Sequence, residues 1–257
     1  MACLTPVQQE RYSRHITLND LGSKGQEKIM SGSILVVGAG GLGSPVLLYL
    51  AAAGVGTLGI MDADTVDLSN LPRQVIYGTD AIGKLKTESA KETIEVMNPD
   101  VTIKRYKEQA TAGNIRSIIK SYDFVIDATD NFDAKYLIND ACILEGVAFS
   151  HAGVLGLIGQ TMTIIPGKSA CFRCVLPVPP PAEKVISTAQ AGVLGVVPGT
   201  IGTIQATEAI KFLAGMGDLL TDNMIMYDAK EMNFRKVKLT RSKKCPVCGE
   251  IPTITKL

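Results

Sequence analysis

Through the first half of the chain, short apolar runs alternate with longer amphipathic stretches. "SILVVGAG" (33–40) is an aliphatic run ending in glycines, the pattern of a strand buried on both faces. "LGSPVLLYLAAAG" (42–54) follows as a helix of leucines and small residues that stops at Gly54. The alternation repeats with a strand at "TLGIMD" (57–62), a helix through "KLKTESAKETIEVMN" (84–98) and a strand at "VTIKRY" (101–106). A short helix near Ile115 to Lys120 and a strand "DFVIDAT" (123–129) complete it. This pattern predicts an α/β fold, a Rossmann-like and mostly parallel sheet with helices on both faces. The strand carboxyl ends then gather Gly38–Gly43, Asp62–Asp64 and Asp127–Asn131 on one edge, where open α/β sheets bind ligands.

The flanking segments read differently. Residues 1–31 are polar and helix-like, with Pro6 near a helix start and Gly22 and Gly25 as breaks. After "GVAFSHAGVLGLIGQTMTIIPG" the alternation gives way to adjacent strands separated by glycines, which predicts an antiparallel extension. "VLPVPPPAEKVISTAQ" (175–190) has no periodicity and is rich in proline, the mark of an exposed, mobile crossover loop. A helix opened by Pro198 and closed by Gly215 follows, then two strand-like pieces. Without repeats or low-complexity tracts, residues 1–257 read as one domain with halves at 32–150 and 151–257.

Composition narrows the function. A formal net charge of +1 supplies no global field for nucleic acid or an anionic membrane. The absence of tryptophan and the few aromatics give no hint of a base-stacking platform. No apolar run approaches a bilayer span and "MACLTPVQQERYSRH" lacks a signal-peptide core, so a soluble cytoplasmic protein is expected.

Gly38, Gly40 and Gly43 satisfy G-x-G-x-x-G between a strand and a helix, where missing Cβ atoms admit a phosphate to the helix amides. Asp62, at the end of the next strand, is placed to bind a ribose. Alone, the turn fits any mononucleotide or dinucleotide, or a purely structural bend. Asp64, Asn70, Arg73, Gln74, Lys86, Asp130 and Asn131 add cations and metal-binding acids to the same edge. That set suits a triphosphate with Mg²⁺, whose charge must be neutralised before attack. Asp64 could instead pin the loop that follows it.

Six cysteines include two C-x-x-C pairs, Cys171 with Cys174 and Cys245 with Cys248. Two such pairs predict a tetrahedral four-cysteine zinc site with no open position, a clip fastening the C-terminal tail. A redox pair is the competing reading. Gly249, after the second pair, predicts a tight turn whose amides face the sulfurs. Cys142 reads as core, and Cys3 carries no information. His15 reads as part of the N-terminal helix and His151 as structural.

"RYSRH", "GAGGLGS", "DADTVDLSNLPRQ", "GKLKTES", "DATDN", the two C-x-x-C pairs and "AGV" before the late helix stand in the order found in the MoeB/ThiF/HesA family. The chain resembles these adenylyltransferases, prokaryotic relatives of ubiquitin-activating enzymes, over nearly its whole length. The resemblance implies ATP-dependent adenylation of the C-terminal glycine of a ubiquitin-like sulfur-carrier protein ending in Gly-Gly, in a thiamine or molybdopterin type of pathway. It implies that 151–257 is the carrier-binding half, and that Gly41 and Asp62 hold the nucleotide. Asn70, Arg73, Gln74 and Lys86 would contact phosphates and Asp130 would hold Mg²⁺. Arg14 would enter the site of a partner in a homodimer.

One departure matters. Several relatives carry a cysteine shortly before "AGV", whereas this chain reads "KVISTAQAGV", with Ser187 and Thr188. Without a neighbouring base a hydroxyl is a weak nucleophile. The expectation is therefore that the protein stops at the acyl-adenylate and a separate donor supplies sulfur. Adenylation of a tRNA-nucleoside carboxylate, a non-catalytic nucleotide-binding scaffold and, more remotely, a nicotinamide oxidoreductase are the rival readings.

Overall fold

The computed structural model describes residues 4–181, 183, 185 and 188–257. The N-terminal segment forms α1 (Pro6–Arg11), α2 (Ser13–Ile16) and α3 (Gly22–Ser31). Thr5 caps α1 reciprocally with Gln8, and Pro6 occupies its first turn. Gly22 opens α3, but Gly25 lies inside it and does not break it; an added Cβ there would come within 2.6 Å of the Leu21 side chain.

The predicted alternation is present: β1 (Ser33–Val37), α4 (Gly43–Ala52), β2 (Thr57–Met61), α5 (Lys86–Met97), β3 (Thr102–Tyr106), α6 (Ile115–Ile119) and β4 (Phe124–Asp127). It continues through α7 (Phe132–Glu145), β5 (Ala148–Leu155) and β6 (Ile158–Ile164). After α8 (Phe172–Val175) and α9 (Thr188–Ala191) come α10 (Val196–Ala214), β7 (Asn223–Asp228) and β8 (Asn233–Lys238). One sheet in the order β3-β2-β1-β4-β5-β6-β7-β8 runs through both halves. Pairing is parallel from β3 to β5 and antiparallel from β5 to β8. The order reverses at β1, so the carboxyl ends of β1, β2 and β4 open a crevice at the switch point.

Alternate residues of the central strands enter opposite cores, as a period of two requires. Ile34, Val36, Leu58, Ile60 and Phe124 pack with Leu47, Leu50 and Ile201 on one face. Leu35, Val37, Val125 and Phe149 pack with Ile115, Ile138 and Cys142 on the other. Cys142 is thus core, as expected.

Two close approaches shape the crevice. Gly38 has φ +95°, and a Cβ on Gly43 would lie 2.0 Å from the Gly38 carbonyl oxygen. A Cβ on Gly202 of α10 would lie 2.5 Å from the Leu42 carbonyl oxygen, so this helix rests on the start of α4. α10 starts at Val196, two residues before Pro198, which sits in its first turn, and ends at Gly215 in the left-handed conformation. Among the described residues no helix is long and apolar enough to cross a membrane.

Gly43→Ala should lower stability by about 1–3 kcal/mol or more, since the obstructing atom is backbone and cannot turn away. Gly113→Ala, whose Cβ meets only Thr111 Oγ1 at 3.8 Å, is the neutral control in the same urea titration.

Candidate active site

A crevice of about 910 Å³ opens at the switch point and is lined by Gly38, Gly40, Gly41, Asp62, Asp64, Asn70, Arg73, Gln74, Lys86, Asp130 and Asn131. Residues far apart in sequence therefore share one wall-to-wall site. Gly43, expected to hold nucleotide, does not line it. The missing side chain of Gly43 serves the contact with the Gly38 carbonyl instead. Arg14 is exposed on α2 and lies outside this crevice of its own chain.

Asp62 is fixed by backbone donors: the Ala39 amide reaches Oδ2 at 2.8 Å and the Asp64 amide reaches Oδ1 at 2.9 Å. Burial raises the Asp62 carboxyl above its ordinary range, and Lys86 and the two amides only partly offset it. Lys86, the first residue of α5, is buried with Nζ 2.8 Å from Asp64 Oδ2 and 4.0 Å from Asp62 Oδ1. Asp64 both pairs with Lys86 and pins the loop, because its carbonyl accepts the Lys86 amide at 2.9 Å. One ammonium is shared by two acids, an arrangement that holds a cation at the crevice.

The segment after Asp64 turns tightly because Asp67 caps a 3-10 turn at Leu68–Asn70, accepting from the Ser69 amide at 2.8 Å. Arg73 is braced by its bond to the Ser69 carbonyl at 3.0 Å. Gln74 is 3% exposed, and its Oε1 has no partner among the described residues. An orphaned buried acceptor costs about 1–3 kcal/mol, so this side-chain amide on the crevice wall is not spent on the fold, and its NH2 group is the part that can donate to an anion. Asn131 spends its side-chain oxygen capping α7, accepting from the Ala134 amide at 2.9 Å. Asp130 beside it is exposed to the crevice with no hydrogen-bond partner among the described residues.

Other residues around the site carried no sequence signal of their own. Tyr77, buried and not part of the crevice lining, donates to the Ala39 carbonyl of the glycine turn at 2.8 Å, and burial raises its pKa, which keeps it a donor. Thr129, Pro198 and the loop at Glu108–Ala110 do line the wall. The "DATDN" motif contained Thr129, but not the reason for it.

Behind the motif lies a buried ion cluster. Asp127 is wholly buried; His151 Nδ1 lies 2.8 Å from its Oδ2 and Lys135 Nζ 3.5 Å away. Burial alone would raise the Asp127 carboxyl, yet Lys135 and then His151 outweigh it and hold it down to about 2. An ionised carboxylate only accepts, so the His151 Nδ1 carries the proton. His151 is structural, as expected, and also stacks on Phe172 with ring centroids 4.1 Å apart. His15 lies on α2 and bonds Gln26 Oε1 at 3.0 Å.

Phe172 belongs to the cysteine knuckle. The Sγ atoms of Cys171, Cys174, Cys245 and Cys248 lie within 4.8 Å of one another. Neighbouring Sγ separations of 3.9, 3.6 and 3.4 Å bracket the roughly 3.8 Å edge of a tetrahedron with Zn–S bonds of about 2.3 Å. The donor set therefore fits zinc. The amide facing a sulfur belongs to Ser242, 3.4 Å from Cys174 Sγ; the Gly249 amide instead bonds the Cys245 carbonyl at 3.0 Å. α7 receives the knuckle: Asn139 Oδ1 accepts the Phe172 amide at 2.9 Å and Asp140 grips Arg173 through two 2.7 Å bonds. Tyr136 OH donates to the Leu176 and Val178 carbonyls at 2.9 and 2.8 Å, tying down the start of the crossover segment. Ser187 lies outside the described residues.

A model of the ThiF family matches residues 12–247, and the chain belongs to that family. It is an adenylyltransferase, an enzyme that uses ATP to transfer AMP. It is 43% identical over 247 residues to the SAMP-activating enzyme E1 of Haloferax volcanii, covering 96% of this chain and 91% of that protein. The sulfur carrier protein adenylyltransferase of Thermus thermophilus is 42% identical over 254 residues, covering 97% and 94%. The crystal structure of E. coli MccB with MccA-N7isoASN has the same fold, with a TM-score of 0.83 at 24% identity over 94% of this chain and 74% of that one.

Cys248→Ser should abolish stoichiometric zinc in the purified chain, measured by elemental analysis, and lower the melting temperature. A second expectation follows from His151, whose pKa burial lowers from 6.5 against the pull of Asp127. The unfolded chain then binds a proton that the native ring refuses, so stability is full above about pH 6.5 and declines as the pH falls. Urea midpoints at pH 7.5 and 5.5 should differ less in His151→Gln than in the parent.

Proposed function

We propose that this adenylyltransferase activates the C-terminal glycine carboxylate of a ubiquitin-like sulfur carrier ending in Gly-Gly. The observation that carries this reading is the convergence of Arg73, Lys86, Asn70, Gln74 and Asp130 on one crevice beside the glycine turn. The activities named for the relatives from Haloferax volcanii and Thermus thermophilus support it.

In this reading Asp62 accepts the ribose hydroxyls, and the backbone from Gly38 to Gly41 admits the phosphates without obstruction. Asn70, Gln74, Arg73 and Lys86 contact the triphosphate. Asp130 holds Mg²⁺; its single unpartnered carboxylate suits an ion that keeps several waters and phosphate oxygens as ligands. When bound, that ion supplies charge neutralisation on the phosphates.

A carrier carboxylate oxygen attacks the α-phosphorus and forms a C(O)O–P bond, while the bond from the α-phosphorus to the bridging oxygen breaks. Pyrophosphate leaves with that electron pair, and the acyl-adenylate remains. An α-carboxyl, with a pKa of about 3.5, is already ionised at neutral pH, so no general base is needed. The chain's task is to position two anions against each other and offset their repulsion, for which Arg73 and Lys86 are the groups at hand.

Further parts of the reading concern partners. Arg14, exposed on α2, serves the crevice of a second copy in a homodimer. With no cysteine before "AGV", the reaction ends at the acyl-adenylate and a separate donor supplies the sulfur. The four-cysteine zinc site fastens the tail and takes no part in the chemistry.

The test is exchange of labelled pyrophosphate into ATP in the presence of a panel of Gly-Gly-ending carriers. One carrier should support exchange, and Arg73→Ala, Lys86→Ala and Asp130→Ala should each lower its rate by about 100-fold or more. Absence of exchange with every carrier, despite ATP binding, would overturn the carrier reading.

A further inference from the structure

We infer that Lys135, together with Asp127 and Thr129, is a positioning device that fixes Asp130 at the crevice; the inference rests on the proposed role of Asp130 above. Asp130 makes no bond of its own among the described residues, yet both of its neighbours are tied. The Thr129 amide and hydroxyl both donate to Asp127 Oδ1, at 3.1 and 2.6 Å. The Thr129 carbonyl accepts from Lys135 Nζ at 2.7 Å. On the other side, the Asn131 side chain takes the Ala134 amide at 2.9 Å and its carbonyl takes the Lys135 amide at 3.2 Å. Every polar group of Thr129 is thus engaged, and Asn131 is held by the first turn of α7.

Lys135 is what closes this arrangement. It is 6% exposed, and its three ammonium donors go to Thr129 O, to Ala152 O at 2.5 Å and to Asp127 Oδ2 at 3.5 Å. One side chain therefore ties the loop after β4 to β5 and to α7. Asp127 is held from behind as well, by His151 on its carboxylate and by Gln205 Nε2 on its carbonyl at 3.1 Å. Lys135 itself does not line the crevice, and the function proposed for the site leaves it without a task. A lysine buried this deeply needs a compensating reason. Holding Asp130, a crevice carboxylate with no bond of its own among the described residues, supplies it, because displacements near 1 Å are enough to slow a positioned reaction strongly.

The experiment uses the full chain. In Asp127→Asn with Lys135→Met both buried charges are removed together, so neither is left unpaired. The double variant should bind ATP within about threefold of the parent. Its pyrophosphate exchange should slow by about 10- to 100-fold, with a higher Mg²⁺ concentration for half-maximal rate. Lys135→Arg, which keeps a cation able to reach both carbonyls, should recover most of the rate. Thr129→Val removes one hydroxyl bond and no charge; it should fold, melt only modestly below the parent, and show the same defect to a smaller degree, which keeps the test open even if the double variant does not fold. A merely structural role would move the melting temperature and ATP affinity without changing the Mg²⁺ dependence. Parental exchange and Mg²⁺ dependence in folded variants, with Asp130→Ala inactive, would overturn this inference and leave the proposed reaction standing. Normal exchange by Asp130→Ala would overturn the role given to Asp130, and this inference with it.

Discussion

A carboxylate shut off from water must find its compensation inside the protein, and the end of β4 is organised by that requirement. Asp127 stands at the last position of a strand in the middle of the sheet, with no exposure at all. Its charge draws Lys135 from α7 and His151 from β5, and its second oxygen gathers the loop that continues into the crevice. Breaking a buried pair on one side only costs about 3–5 kcal/mol, because the remaining charge stays stranded. The cluster therefore commits three elements to one arrangement. The backbone that carries Asp130 inherits that rigidity.

The same cluster joins the crevice to the cysteine knuckle. His151 faces Asp127 with one nitrogen and stacks its ring on Phe172, which lies between Cys171 and Cys174. α7 begins at the crevice and uses Asn139, Asp140 and Tyr136 to hold the knuckle and the chain leaving it. One fourteen-residue helix thus sets both the acidic loop and the start of the crossover segment. The zinc-compatible cluster is part of this frame rather than an isolated appendage.

Electrostatics in the crevice follow a different rule. The chain as a whole is nearly neutral, because its 26 lysines and arginines are balanced by 25 acids, and it carries no net field to draw in an anion. Lys86 is instead buried against Asp62 and Asp64, and Arg73 is braced on a backbone carbonyl. Fixed charges in a partly dehydrated site act more strongly than mobile ones in water, and they need no reorganisation when an anion arrives. Placement, and not net charge, is what the fold contributes.

Local physics determined much of this protein directly from the residues. Short uninterrupted apolar runs marked the strands, glycines and prolines ended or opened the helices, and paired C-x-x-C spacing announced a metal cluster. The glycine turn and Asp62 were legible as polar groups at strand ends, whereas Arg73, Lys86 and Asp130 stood out through the order of the motifs that contain them and the family those motifs resemble. What only the tertiary structure decided depends on contacts between distant segments. Gly43 looks like a ligand contact in the motif but is spent on the Gly38 carbonyl, because two backbones meet there. Asn131 caps a helix, Gly25 is no break, and Tyr77 reaches a carbonyl 38 residues away. Nothing in the sequence singled out Lys135, and His151 read only as structural; their joint role shows when β4, β5 and α7 close around Asp127. A pairing of charges across the sheet has no period and no fixed spacing, so only the folded chain displays it.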